Sequence, residues 1–79
     1  MNAAQCRAAR ALLGMNQEEL AAVSGVSAGT IKDFERGARQ VLKRTHADLK
    51  RALESRGILF LEDDRGEGVL HLRTPGDAG

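Results

Sequence analysis

The stretch that most constrains the fold covers residues 17–37, with the sequence QEELAAVSGVSAGTIKDFERG. Its small, turn-forming and apolar residues follow spacings that predict two short helices joined by a tight turn. Gly25 stands where a sharp turn most easily uses a positive φ, and Ser27 stands where the second helix needs an N-cap. Ile31 and Phe34, three residues apart, give that helix a buried edge. The rest of the chain is therefore expected to brace this helix pair.

Further helices are predicted on both sides of the pair. Asn2 can cap a first helix over residues 3–13, and Asn16 opens the helix before the turn with a capping-box pattern. Thr45 is predicted to cap a fourth helix, which Gly57 ends. The helical part of the chain is thus expected to contain four helices.

The sequence pattern changes after the fourth helix. Two short apolar runs, residues 58–61 and 69–73, flank an acidic loop that contains glycine, and this arrangement predicts a β-hairpin. Because a lone hairpin is barely stable in water, it must pack on the helices or pair with another chain. The predicted fold class is mainly α. A helical domain covers residues 1–57, a hairpin suited to dimerisation covers residues 58–73, and residues 74–79 form a flexible tail.

Composition narrows the possible classes of function. The chain has 79 residues and one cysteine, so a single domain is expected and a disulfide framework is excluded. Without Trp or Tyr, an RNA-binding surface that stacks bases on aromatic rings is disfavoured. Residues 32–51 include seven basic residues and three acidic residues. This segregation indicates either a polyanionic partner or a solvated surface whose charges happen to segregate.

The sequence predicts no catalytic, metal or cofactor site. His46 and His71 fall on different predicted elements without the spacing of metal ligands. The acidic run at residues 62–64 lacks the spacing of a calcium loop, and a solvated hairpin turn is the preferred interpretation. Cys6 is interpreted as a small core residue. Because the sequence shows neither a membrane-spanning run nor a signal peptide, a cytoplasmic, non-enzymatic protein is expected.

Residues 17–37 resemble the helix-turn-helix of the lambda-repressor-like, Cro-type regulators of the XRE family, and the likeness extends over roughly residues 5–57. The matching residues are Gln17, Leu20, Ala21, Ser24, Gly25, Val26, Ser27, Ile31, Phe34, Glu35, Arg36 and Gly37. The resemblance implies a four-helix domain that binds double-stranded DNA with its third helix in the major groove. It also implies an ion pair between Arg10 and Glu35 that ties the first helix to the third.

The resemblance implies DNA contacts for individual residues. Gln17 would bind a backbone phosphate. Ala28 and Gly29 would face base edges but offer few groups to them, so phosphate contacts and DNA shape would carry more of the binding. Asp33 can accept a hydrogen bond from a cytosine amino group or pair with a neighbouring arginine. The residues implied in DNA binding are Gln17, Ser27, Ala28, Gly29, Thr30, Lys32, Asp33, Arg36, Arg39, Lys43 and Arg44.

The expected function is that of a sequence-specific transcriptional regulator. Repression is the default expectation, with a homodimer on an inverted repeat, because one recognition helix reads only a few base pairs. The hairpin is expected to form the dimer through Ile58, Phe60, Leu70 and Leu72. Two alternatives stay open: an antitoxin that binds a toxin partner and DNA only secondarily, and a metal-dependent nuclease. The nuclease is disfavoured because no carboxylate pair lies near the basic stretch. No small-molecule ligand or membrane partner is expected.

Overall fold

The structure is a computed structural model and describes residues 1–38 and 40–73. Four helices precede two strands: α1 (Ala3–Leu13), α2 (Gln17–Ser24), α3 (Ala28–Glu35), α4 (Lys43–Glu54), β1 (Ile58–Asp63) and β2 (Gly66–His71). This order confirms the predicted fold class. The predicted contact of Arg39 and the predicted tail at 74–79 lie outside the described residues. Within these residues, no helix has the length and apolar character needed to cross a membrane.

The first three helices begin where the sequence predicts their caps. Asn2 and Asn16 both form capping boxes. In the second, Asn16 Oδ1 accepts from the Glu19 N–H at 2.7 Å, while the Glu19 carboxylate accepts from the Asn16 N–H at 3.0 Å. Ser27 caps α3 with its side chain. Gly25 has a φ of 76°, so α2 ends there and the chain can turn into α3.

The start of α4 differs from the prediction. The helix begins at Lys43, and its N-cap is Leu42, whose side chain cannot accept a hydrogen bond from the helix N–H groups. Thr45, the predicted cap, therefore lies inside the first turn. Lys43 and Arg44 are good helix formers, and the earlier start adds a backbone hydrogen bond from the His46 N–H to the Leu42 carbonyl at 2.9 Å. These gains favour the earlier start over a cap at Thr45.

One apolar core joins the helices to the first strand. Its buried members are Cys6, Ala9, Leu20, Val26, Ile31, Leu49, Ala52, Leu53 and Ile58. Phe34, Phe60 and Val69 pack against this core while remaining partly exposed. Cys6 is fully buried, as predicted, and this burial is the main cause that raises the pKa of its thiol to about 12. The thiol therefore stays protonated and inert at neutral pH.

The two strands form an antiparallel hairpin with a two-residue turn at Asp64 and Arg65. The pairing places Ile58 opposite His71 and Phe60 opposite Val69. The strands are longer and the loop shorter than predicted, because the pairing continues through the acidic residues on both sides of the turn. Successive side chains point to opposite faces, so one face of the hairpin lies against the core and the other faces solvent.

This alternation corrects one of the predicted dimer residues, Ile58. Ile58 is 3% exposed and belongs to the core, and Phe60 packs against the same core. Ile58 is therefore not accessible to a second chain, whereas Phe60 stays partly exposed and its dimer contact stays a prediction. Leu70 and Leu72 lie on the outer face and are 47% and 48% exposed. The sequence could not separate the faces because the run from residue 58 to residue 61 is apolar throughout, so its inward side is set by tertiary packing.

A buried glutamine attaches the hairpin to α1. Gln5 is 5% exposed, and its Nε2 donates to the carbonyl oxygens of Leu61 and Gly68, both at 3.0 Å. The Asn2 side chain also donates to the Glu67 carboxylate. Hydrogen bonds and apolar packing together hold the hairpin against the helices.

Candidate nucleic-acid interface

Helix α3 buries one edge and presents the other to solvent. Ile31 is fully buried, while Gly29, Lys32 and Arg36 are exposed. Ala28, Thr30 and Asp33 are partly exposed beside them. The structure therefore brings all the residues predicted to face bases onto or next to one accessible side of an eight-residue helix.

The N-terminus of α3 is held by a local hydroxyl network. Ser27 Oγ accepts from the Thr30 N–H at 3.2 Å and donates to Thr30 Oγ1 at 2.9 Å. This confirms the predicted capping role of Ser27. Because its proton is already donated to Thr30, a DNA phosphate would have to compete for it, and the phosphate contact of Ser27 stays a prediction.

Asp33 is paired with Arg36, the C-cap residue of α3. Arg36 Nη2 donates to Asp33 Oδ1 at 3.1 Å, with side-chain exposures of 64% for the arginine and 32% for the aspartate. Of the two roles considered for Asp33, the structure shows the pairing with a neighbouring arginine. An ion pair this exposed contributes well under about 1 kcal/mol, so both groups remain able to exchange partners when DNA approaches.

Glu35 lies at the centre of a buried hydrogen-bond network. Arg10 donates through Nε to Oε2 at 2.7 Å and through Nη2 to Oε1 at 2.6 Å. Gln17 Nε2 donates to Oε1 at 2.9 Å, and Cys6 Sγ donates to Oε2 at 3.2 Å. The implied ion pair between Arg10 and Glu35 is confirmed, and it joins α1, α2 and α3 at one carboxylate.

The network keeps Glu35 ionised despite its burial. Burial acts to raise the pKa of the carboxyl, but hydrogen bonds from Arg10, Gln17 and Cys6 outweigh it, so the pKa of Glu35 lies below its ordinary value. The hydrogen bond to Glu35 raises the pKa of Arg10 in turn. Arg10 also donates through Nη1 to the Met15 carbonyl at 3.0 Å. Its donors are largely used inside the protein, which favours a bracing role.

A shallow depression lies over this network. Arg7, Arg10, Gln17, Lys32, Glu35 and Arg36 line it. Arg7, for which the sequence predicted no role, donates through its guanidinium to the Glu35 backbone carbonyl. Arg7 lies three residues before Arg10 on the same helix, and this spacing could have indicated from the sequence that the two side chains lie close together. Among the described lining residues, Glu35 is the one carboxylate, and it is already paired with Arg10. The surrounding cations therefore make the depression suited to an anion such as a DNA phosphate.

A second cationic surface lies at the start of α4. Lys43 and Arg44 are exposed in its first turn, which contains no acidic residue. Free N–H groups and the helix dipole make this end electropositive. Two cations at this end therefore lower the stability of the helix and make the end a favourable place for an anion to bind. This arrangement agrees with phosphate contacts for Lys43 and Arg44, which stay predictions. Arg39 lies between the two surfaces in sequence, outside the described residues.

The fold and its cationic surface define a helix-turn-helix DNA-binding domain. A family model described as helix-turn-helix matches residues 7–47, more than half of the chain. The chain belongs to this family, of the XRE type, as residues 17–37 had indicated. The protein is a DNA-binding regulator of that type, and the family is regulatory, not enzymatic. No curated protein gives a significant match to the chain.

Proposed function

We propose that the protein is a sequence-specific transcriptional repressor that acts as a homodimer on an inverted-repeat operator. The observation that carries this proposal is the position of Gln17, Lys32 and Arg36 in one depression directly beside the accessible side of α3. A helix that enters the major groove needs phosphate-binding groups along its flank to fix its register. We infer that Gln17 at the start of α2, Lys32 in α3 and Arg36 at the C-cap of α3 serve this purpose.

The accessible side of α3 is suited to close approach by DNA. Ala28 and Gly29 open the helix, and a Cβ added to Gly29 would meet no heavy atom of the described residues within 4 Å. Packing within the chain therefore does not require a glycine there. A glycine at this point lets the helix backbone come close to base edges. Base contacts would come from Lys32 and Asp33, with phosphate contacts on both sides of them.

A homodimer is proposed because α3 has eight residues and reads only a few base pairs on its own. Two copies related by a two-fold axis double the site and match an inverted repeat with half-sites about 34 Å apart, one helical turn. Occupancy of an operator that overlaps a promoter is sufficient to block transcription. Repression thus requires no group beyond those that bind DNA.

The alternative is an antitoxin-type protein that binds a toxin and contacts DNA only secondarily. The observation that favours it is the exposed leucine-rich outer face of the hairpin, which a partner protein could cover. The two functions differ in what the isolated chain does. The repressor must bind its site tightly without any partner, whereas the antitoxin reaches full affinity only with its toxin.

Selection of binding sites from random DNA, followed by mobility shift, tests the proposal. We expect the purified chain to enrich an inverted repeat and to bind it at least about 10³-fold more tightly than scrambled DNA. Binding should weaken linearly with the logarithm of salt concentration. A salt slope near zero would exclude DNA as the partner. Enrichment of no sequence, together with a normal salt slope, would leave only non-specific DNA binding and contradict the repressor.

A further inference from the structure

We propose that Arg7 is a further phosphate-binding residue, which bonds the end of α3 with one side of its guanidinium and a phosphate of the DNA backbone with the other. Arg7 is not among the residues to which the family resemblance gives a DNA contact. The inference deepens the proposed function and rests on it only in taking α3 as the helix that enters the major groove. It requires neither a dimer nor repression.

The first observation is the contact between Arg7 and the recognition helix. Arg7 lies on α1, and its Nη1 donates to the backbone carbonyl of Glu35, the last residue of α3. Carbonyl groups at a helix end have no partner within the helix, and a cation there also interacts favourably with the helix dipole. The contact therefore holds the Arg7 guanidinium at the C-terminal end of α3, at a fixed distance from the accessible side of that helix.

The second observation is that most of the donors of Arg7 are not used within the protein. A guanidinium carries its N–H donors along separate edges of one plane. Within residues 1–38 and 40–73, the bond to Glu35 is the one hydrogen bond that Arg7 makes, and Arg7 forms no salt bridge there. Arg7 is also exposed. The remaining edges of its guanidinium are therefore available to a group that comes from outside.

The comparison with Arg10, one turn further along α1, separates two tasks. Arg10 donates through Nε and Nη2 to the Glu35 carboxylate and through Nη1 to the Met15 carbonyl, and its side chain is 18% exposed. Each of its nitrogen atoms is thus occupied within the protein. Bracing of the fold therefore falls to Arg10, and phosphate binding falls to the exposed Arg7.

The third observation is the set of groups that surround Arg7. It shares a depression with Gln17, Lys32 and Arg36, so donors from α1, α2 and α3 surround one space. Glu35, the one carboxylate among the described lining residues, is already paired. A phosphate has oxygen atoms that accept several hydrogen bonds at once, and the planar fork of an arginine matches two of them. The space is therefore complementary to a backbone phosphate beside α3.

The alternative is a purely structural role for Arg7. A cap on the Glu35 carbonyl alone would use one donor, and a lysine would serve as well because its ammonium is a point charge. Contact on both sides needs a guanidinium, which presents separate edges to separate partners. Arginine and lysine at position 7 should therefore give equal charge but unequal affinity for DNA.

DNA titrations of the full chain at several salt concentrations distinguish the two roles. Arg7→Gln should weaken binding about tenfold and reduce the salt slope by about 0.9, since one fewer counter-ion is released. Arg7→Lys should restore the slope but bind more weakly than the wild type. Arg51→Gln is the matched control, because it removes the same charge from an exposed arginine in the last turn of α4, and it should leave the slope unchanged.

Neutral methylphosphonates, placed one at a time in the selected DNA site, identify the phosphate. At one position of each half-site, the substitution should weaken binding of the wild type about tenfold and that of Arg7→Gln hardly at all. A residue that acts only through the position of α3 would give no such position, because each phosphate would then cost both proteins the same affinity. Arg7 is exposed, so both variants should fold, which thermal melting checks.

Several outcomes would overturn the proposal. An unchanged salt slope in Arg7→Gln would leave Arg7 only a structural cap. An equal loss of slope in Arg51→Gln would assign the effect to net charge, and equal costs at every phosphate would exclude a direct contact. Full recovery of affinity in Arg7→Lys would exclude contact on both sides of the guanidinium.

These outcomes are separate from those of the proposed function, because salt slopes are also measurable on a duplex of arbitrary sequence. If selection enriches no sequence while Arg7→Gln lowers the slope on such a duplex, the repressor is contradicted and the phosphate contact of Arg7 is supported. If the chain binds a specific inverted repeat and Arg7→Gln leaves the slope unchanged, the proposed function is supported and the role of Arg7 is overturned. A wild type that binds no DNA would contradict both.

Discussion

Gln17 Nε2 donates to Glu35 Oε1 at 2.9 Å, on the same carboxylate that accepts two hydrogen bonds from Arg10. A residue implied in phosphate binding is thereby held by the ion pair that joins α1 to α3. The amide nitrogen of Gln17 carries a second hydrogen, which can be donated to a phosphate while the first stays on Glu35. The position of Gln17 in the proposed DNA-binding surface and the stability of the fold therefore depend on one buried network.

Arg10→Met is expected to lower the free energy of unfolding by about 3 kcal/mol, since it leaves the Glu35 carboxylate buried without its counter-ion. Chemical denaturation of the two proteins gives the difference. The double variant Arg10→Met with Glu35→Leu removes both charges and should recover a large part of the loss. If the double variant is less stable than Arg10→Met alone, the ion pair does not account for the loss.

The contribution of Glu35 to stability should depend on pH in one direction. Its pKa in the folded protein lies below its ordinary value of 4.5, so the unfolded chain takes up the proton first as the pH falls. The contribution is fully present above about pH 4.5 and is lost as the pH falls through the folded pKa. Urea denaturation of wild type and Glu35→Gln at several pH values should show their difference shrinking below pH 4.5.

Asp63→Asn provides the control for that experiment. The hydrogen bond from Arg65 lowers the pKa of Asp63 as well, but this carboxyl is exposed to solvent, which weakens its coupling to folding. Its removal should leave the pH dependence of stability close to that of the wild type. An equal effect of the two variants would contradict a special role for the buried network.

Lys43→Gln should reduce the salt slope of DNA binding by about 0.9, because one fewer phosphate charge is neutralised and one fewer counter-ion is released. Lys50→Gln is the control with identical chemistry on the same helix. Lys50 lies seven residues further along α4, about 10 Å from Lys43, and should leave the slope unchanged. Titrations at several salt concentrations give both slopes, and equal slopes would place the DNA away from the start of α4.

Gly29→Ala should separate stability from binding. Alanine is favoured over glycine in a helix by about 0.5–1 kcal/mol, and nothing described lies within 4 Å of the new Cβ, so the free protein should melt at a higher temperature. If α3 approaches base edges closely at this point, affinity for the selected site should fall about tenfold. Unchanged affinity would show that Gly29 does not lie against the DNA.

Asp33→Ala should change sequence preference more than total affinity. The change removes an acceptor from the accessible side of α3 and releases Arg36 from its pair with Asp33, so a base contact is altered while the local charge becomes more positive. Site selection with the variant should show altered preference at one position of each half-site. Arg36→Gln is the comparison, because it breaks the same pair and leaves the carboxylate in place. The same preferred sequence in both variants and in wild type would exclude a base contact by Asp33.

The helix ends could be predicted from the sequence because local rules determine them. Asn2, Asn16 and Ser27 cap helices through backbone groups three residues away, and Gly25 supplies the left-handed conformation of the turn. The start of α4 was missed because the predicted cap at Thr45 competed with a longer helix, which tertiary context favours. The local sequence pattern does not show which of the two helix starts gives the more stable protein.

The faces of the hairpin and the network around Glu35 could not be predicted in the same way. Ile58 and Leu59 look equivalent in an apolar run, and only packing against α1 and α4 decides which of them is buried. Gln17 and Cys6 meet Glu35 from distant parts of the chain. The resemblance supplied the partner Arg10, but no spacing rule indicated that one carboxylate would accept hydrogen bonds from all three side chains.

The cationic first turn of α4 has a thermodynamic consequence. Leu42 provides no side-chain acceptor, and Lys43 and Arg44 repel the positive end of the helix, so the free protein contains a helix end whose electrostatic stabilisation is incomplete. A phosphate seated there would serve as the missing cap. Under mass action, any anion that occupies this end selectively stabilises the folded state. If a DNA phosphate occupies this end, folding and binding are linked, and part of the affinity for DNA is the stabilisation that the unbound helix end lacks.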